Sequence, residues 1–144
     1  MRNFIVSTPA GNLRLTASSD ARVLISAEWT DTPADSDFSV VSACEPRYPD
    51  TATPLQRATW EAMRAIPQGS VVTYSDLAAM AGYPRAVRAV ASAVGRNPFP
   101  VIIPCHRVVH ASRPIARGNY TGGLWRKLAL LRAEGISEII SHAD

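Results

Sequence analysis

Cys105 and His106 stand side by side in Pro104-Cys105-His106-Arg107-Val108, and no other pair in the chain is better suited to covalent chemistry. A thiol reacts as its thiolate, and a nearby base or cation makes thiolate available near neutral pH. The pair therefore suits attack by sulfur on an electrophilic centre. It follows an apolar run, Val101-Ile102-Ile103, so a buried free cysteine in a strand is the ordinary alternative. Neighbours in an extended segment point to opposite faces, so adjacency does not guarantee contact between thiol and imidazole. The two cysteines, Cys44 and Cys105, and the three histidines, His106, His110 and His142, show no paired-ligand spacing. No zinc site is expected, and no other metal or cofactor.

The elements that must position this pair fall into two parts. The first reads as β. Asn3-Phe4-Ile5-Val6 and Leu13-Arg14-Leu15-Thr16 flank a Pro9-Ala10-Gly11-Asn12 turn, a hairpin signal. Residues 23–27 predict a third strand, and residues 38–41 a possible fourth. Residues 45–53 read as a proline-containing linker, which places the domain boundary near residue 50. The second part is mainly helical. Thr53-Pro54 predicts an N-cap with proline at the first helical position, and Leu55, Ala58, Met63 and Ile66 share one face up to Pro67. Thr73 and Asp76 approximate a capping box, and Gly82 closes that helix. Pro84 can open the next, running from Arg85 to about Arg96. The two form a helix-turn-helix or an ordinary αα-corner. A last helix runs from Gly123 to Glu134, with Leu124, Leu128 and Leu131 on one face and Gly135 as its stop.

Size and charge narrow the classes. The chain has 144 residues and is 47% hydrophobic, enough for a packed core. No run of about 18 apolar residues offers a membrane span, and the start lacks a signal-peptide pattern. The low cysteine count favours a reduced thiol and an intracellular, cytoplasmic setting over a disulfide scaffold. Residues 1–50 hold four Arg against seven Asp and Glu, a net of −3, whereas residues 51–144 carry a net of +6. A basic second half suits phosphate contact, with a solvated basic surface as the alternative.

The flanks of the cysteine settle which chemistry to expect. Arg88 lies on the second helix of the pair, followed by Arg96-Asn97-Pro98, and downstream come Gly118-Asn119-Tyr120-Thr121-Gly122-Gly123-Leu124 and Glu134-Gly135. From about Thr53 to Gly135 the arrangement resembles the O6-alkylguanine-DNA alkyltransferases. The resemblance implies an α/β (α+β) fold. A small β-rich N-terminal domain, 1–50, would be a truncated ribonuclease-H-like unit. A helical, winged-helix-like DNA-binding domain, 51–144, would hold the active site. It implies direct reversal of damage by irreversible, stoichiometric transfer of the alkyl group from O6-alkylguanine in DNA, with O4-alkylthymine as a second substrate, to Cys105. A water would link Cys105 to His106, and Glu134 would orient the imidazole.

The same resemblance assigns the other site residues. Tyr74 meets the phosphate of the extruded nucleotide and donates toward the guanine ring. Arg88 fills the gap the base leaves, since O6 is otherwise inside the stack. Ala86, Ala89 and Ala93 keep the helix small against the groove. Asn97 ties that helix to the active-site strand. Val94, Val108, Thr121 and the loop from Ile115 to Gly123 wall the pocket, and Arg107 pairs across the two domains. The expected partner is duplex DNA with an O6-alkylguanine, met by a monomer with no membrane contact. Two departures stand out: the first domain is shorter than usual, and residues 110–117 look slightly longer. An alkyltransferase-like sensor of lesions would lack Cys105. A thiol hydrolase would need an acyl pocket, and a transcription factor would have no use for Pro-Cys-His-Arg-Val.

Overall fold

The computed structural model describes residues 1–111 and 123–136. The chain opens with a four-stranded sheet in the order β1-β2-β3-β4. Strands β1 (Arg2–Thr8) and β2 (Gly11–Ala17) form the expected hairpin. Its connection is tighter than the expected four-residue turn, because Thr8 pairs with Gly11 and only Pro9 and Ala10 lie between the strands. Gly11 sits at φ +118°, a backbone state that favours glycine. Strand β3 (Val23–Thr30) pairs antiparallel with β2 and runs three residues past the expected end.

Two expectations for the first part need correction. Residues 38–41 are not a strand; Phe38–Ala43 winds into a 3-10 helix. The Asp37 carboxylate accepts the Ser39 N–H at 3.0 Å, and this local side-chain bond favours a turn over a ladder. The 45–53 segment is not wholly linker either. Glu45–Pro46 forms β4, parallel to β3 with Val23 opposite Glu45. It is the outer strand of the sheet, where a proline does not interrupt a ladder.

The helices follow their caps. In α1 (Pro54–Arg64), Thr53 and Gln56 complete a reciprocal capping box. Its buried face is Thr59, Trp60 and Met63, while Leu55 and Ala58 are only half-buried. Trp60 makes the decisive contact, donating from Nε1 to the Ala93 carbonyl at 2.8 Å. Strand β5 (Val72–Thr73) leads into α2 (Tyr74–Met80), whose capping box joins Thr73 and Asp76 as expected. Helix α3 (Val87–Gly95) starts two residues later than expected. Pro84 and Arg85 belong to a turn closed by the Ala86 N–H on the Tyr83 carbonyl, and Ala86 is the cap rather than a helical residue.

After α3 the chain reaches β6 (Val108–Val109), parallel to β5, and ends its described part with α4 (Leu124–Ala133). The buried face of α4 is Lys127, Leu130 and Leu131, not the expected Leu124–Leu128–Leu131 stripe. Leu124 is exposed and Leu128 half-buried. Lys127 is tolerated on the buried face because its ammonium donates to the Val108 carbonyl at 2.8 Å. One hydrophobic core joins the two parts. Val6, Leu13, Leu15 and Leu24 of the sheet share it with Trp60, Met63, Leu77, Val90, Val94, Phe99 and Cys105. The architecture is mixed α/β, and the β5–β6 pair with α2 and α3 is consistent with a winged-helix-like arrangement.

Candidate active site

The segment that presents Cys105 is a turn, not the expected strand. Asn97 shapes it from both ends: its amide nitrogen donates to the Ile103 carbonyl at 2.7 Å, and its amide oxygen accepts the Phe99 N–H at 3.0 Å. Both bonds are buried, so Asn97 ties the end of α3 to the approach to Cys105. Between them Val101 stands at φ +71°. A β-branched residue there costs on the order of 1–3 kcal/mol, and the bonds around it hold the strain. Cys105–Arg107 then form one 3-10 turn. Successive side chains of such a turn diverge by about 120°. Cys105 and His106 thus point in different directions while both are buried.

Glu134 gathers the polar side of this turn. Its Oε2 accepts from His106 Nε2 at 2.8 Å and from Arg107 Nη2 at 2.8 Å, and its Oε1 accepts from Arg107 Nε at 2.9 Å. Burial pushes the Glu134 carboxyl up, but the bonds and charges of His106 and Arg107 outweigh it and hold it down at about 2. It is ionised at neutral pH and can only accept hydrogen bonds. The proton in the contact therefore resides on His106 Nε2. Burial pushes the His106 imidazolium down in pKa, with Glu134 pulling back, so the ring is neutral at pH 7 with Nδ1 as its basic nitrogen. Arg107 also donates from Nη1 to the Ile66 carbonyl at 2.7 Å. It therefore links the end of α1 to α4, rather than pairing across to the sheet as expected.

Cys105 lies on the other side. It is a free thiol, pushed up to about 11 by burial; a hydrogen bond with Asn97 and the charge of Lys127 pull it back. Lys127 is fully buried and lowered to about 8 by that burial, with Cys105 opposing the shift. The resting thiol is protonated at pH 7 beside a buried ammonium. Sequence reasoning missed Lys127. The signal was present: it is seven residues before Glu134 and so on the same helical face. Cys44 is also a free thiol, raised by burial and bonded to the Ala21 carbonyl at 3.2 Å.

Tyr74 is the bridge to solvent. Its hydroxyl is held protonated by burial and then by the nearby Cys105. It borders a cavity of about 390 Å³ with Ser75, Val87, Arg88, Ala91 and His110. The His110 ring, also missed, lies 4.9 Å from that of Tyr74, tilted by 53°. Arg88 and Ala89 are exposed on α3, and Ala86 is half-buried at its start, whereas Ala93 faces the core. Val94 and Val108 are buried in the core with Cys105; the cavity wall on α3 is Val87 and Ala91 instead. Thr121 and most of the loop from Ile115 to Gly123 lie outside the described residues. Among the described residues, no cluster of His, Cys, Asp or Glu could hold a metal ion, and no helix is long and apolar enough to cross a membrane.

The Glu134 pairing sets a pH dependence. A carboxyl depressed in the folded state contributes stability above its unfolded pKa, near 4.5, and loses it as pH falls toward 2. Glu134→Gln should therefore be destabilised by about 1–3 kcal/mol at pH 7. The gap to wild type should close between pH 4.5 and 2. Urea unfolding at stepped pH measures it; a gap that stays constant with pH would show that the carboxylate charge is not what holds the turn.

Comparisons with known proteins place the chain in a family. Residues 54–136 match the family model for the 6-O-methylguanine DNA methyltransferase DNA binding domain. The chain is 49% identical over 83 residues to the methylated-DNA--protein-cysteine methyltransferase of Salmonella typhimurium, covering 58% of this chain and 47% of that protein. It is 46% identical over 80 residues to the Homo sapiens protein of the same name, covering 56% and 38%. The chain thus spans about half the length, or less, of these curated relatives. A crystal structure of Mycobacterium tuberculosis OGT in complex with DNA superposes over 100% of both chains, with a TM-score of 0.74 at 28% identity. With well over half of its length inside the family's domain, the chain belongs to the 6-O-methylguanine DNA methyltransferase DNA-binding domain family.

Proposed function

We propose that this protein repairs O6-alkylguanine in duplex DNA by moving the alkyl group irreversibly onto Cys105. The observation that carries the proposal is a His106 whose Nε2 is held by an ionised Glu134, next in sequence to a buried, protonated thiol. Such a thiol needs a base at the moment of transfer, and His106 Nδ1 is that base. The sulfur attacks the alkyl carbon in line, the S–C bond forms and the C–O6 bond breaks. The thiol proton passes to Nδ1 across a water, and the imidazolium is stabilised by Glu134. Tyr74, held protonated, donates to the departing guanine and is reprotonated from solvent. The thioether product is stable, so each chain acts once, and neither metal nor cofactor takes part.

The cavity beside Tyr74 is where the extruded base enters. Arg88 stands at its edge, exposed on α3, where its side chain can occupy the place the base has left. The exposed Ala89 beside it and the half-buried Ala86 leave α3 slim enough to approach a groove. Asn97 acts through the turn it fixes, Val94 and Val108 back the Cys105 thiol from the core, and Thr121, outside the described residues, is read as a substrate contact. We further read residues 1–50 and 51–144 as two units of one monomeric body that works in the cytoplasm, with O4-alkylthymine as a second substrate. The domain homology and the crystallised DNA complex of the Mycobacterium tuberculosis relative support DNA as the partner.

Intact mass after incubation with an O6-methylguanine duplex tests the reaction. One hydrogen should be replaced by methyl, mapped to Cys105, and Cys105→Ser should abolish the change; transfer to Cys44 would contradict the proposal.

Arg88→Ala separates base extrusion from chemistry. Unstacking costs a few kcal/mol, and losing ~1.4–2.7 kcal/mol of compensation slows duplex repair about ten- to a hundredfold. Reaction with free O6-benzylguanine should change little, since a free base has no stack to leave. Equal losses on both substrates would place Arg88 in the fold or the pocket instead.

A further inference from the structure

Arg126 is the residue before Lys127, and it points the other way. Consecutive helical residues are about 100° apart, so α4 can send Lys127 toward Cys105 and Arg126 toward the sheet. There the Arg126 guanidinium is sandwiched between two indoles, 4.1 Å from the ring of Trp29 on β3 and 4.3 Å from that of Trp125. Its Nη1 donates to the Ala10 carbonyl in the β1–β2 turn. Among the described residues, no other hydrogen bond joins α4 to the sheet. Gly11 leaves the room this requires: a Cβ there would lie 2.5 Å from Arg126 Nη1. The Arg126 Nε is buried without a hydrogen-bond partner among the described residues. A guanidinium gives up water at one nitrogen in exchange for two aromatic faces, which is a sign of a specific seat rather than a passing surface contact.

We propose that Arg126 is a positioning residue: seated between Trp29 and Trp125, it sets the rotation of α4 and so places Lys127 and Glu134 around the Cys105 thiol. Lys127 is the next residue, and Glu134 lies about 12 Å further along the same helix. Both make short directional contacts, Lys127 to the Val108 carbonyl and Glu134 to His106 and Arg107. A small rotation of α4 would lengthen all of them together. Beyond the shared core, this side chain gives the sheet a directional tie to the helix that carries Lys127 and Glu134, although none of the sheet's residues borders the cavity beside Tyr74. This inference rests on the proposed function only in taking Cys105 as the reacting group.

The test reads the thiolate directly. Cys105 is alkylated with iodoacetamide across pH in the full chain, with peptide mass separating it from Cys44. The titratable and charged groups around the thiol are Tyr74 of α2, Lys127 of α4, and His106 with Arg107 and Glu134. Arg126→Ala and Trp125→Ala should each raise the pH midpoint by about one unit, so that alkylation at pH 7 is about tenfold slower. Arg126→Lys keeps a charge but loses the planar stack and should recover only part of this. Trp125 is 59% exposed, so its replacement leaves the core intact and decides the matter if Arg126→Ala does not fold. An unchanged midpoint in the folded variants, whatever their thermal stability, overturns the proposal and leaves the sandwich a fastening only. If the wild type takes no alkyl group from O6-methylguanine DNA, the proposed function fails while the iodoacetamide comparison still decides the role of Arg126.

Discussion

The Glu134 carboxylate is the constraint on which the rest of the site depends. It is half-buried at the end of α4 and receives three hydrogen bonds from two consecutive residues of one turn. Bonds to an ionised acceptor are about twice as strong as neutral ones. They also have a logical consequence: an acceptor that cannot donate dictates where the proton of its partner sits. The tautomer of His106, and with it the nitrogen facing the chemistry, follows from the charge on a residue 28 positions away in sequence. Arg107 makes that charge tolerable in a buried setting, and its third bond, to Ile66, carries the same network to the end of α1.

A second buried charge balances the opposite side of the turn. Lys127 is an ammonium with no exposed surface, held by a single carbonyl and by the proximity of Cys105. A buried lysine is costly, and here the cost falls next to a thiol that the proposed transfer turns into an anion. The environment is apolar enough to keep the thiol protonated at rest, yet it holds a cation ready for the thiolate. Strain at Val101 belongs to the same design, because the turn it permits brings Cys105 to the core side and His106 to Glu134.

Much of this was legible in the chain. Thr53-Pro54 and Thr73 with Asp76 announced their helices because capping is a local interaction between residues three apart. Cys105, His106 and Glu134 were legible through the resemblance, since their neighbours carry it. What escaped was of a different kind. The turn over residues 101–104, which leads into the 3-10 turn Cys105–Arg107, reads as a strand because apolar β-branched runs favour strands, and only Asn97 and the surrounding packing override that preference. Residues 38–41 failed for the same reason, with Asp37 as the overriding group. For Lys127 the chain shows the shared helical face with Glu134 but not the burial, which depends on a carbonyl from another element. The Trp29–Arg126–Trp125 seat joins residues nearly a hundred positions apart, and no spacing rule reports such a contact.

The proposed transfer turns on which nitrogen of His106 carries the proton. Nitrogen-15 NMR of the protein with labelled histidine, assigned by comparison with His106→Gln, reads this directly at pH 7. A neutral ring protonated on Nε2 is expected, with Nδ1 giving the chemical shift of an unprotonated nitrogen. A ring protonated on Nδ1, or an imidazolium at pH 7 in the unreacted protein, would contradict it, because Cys105 would then have no base to receive its proton.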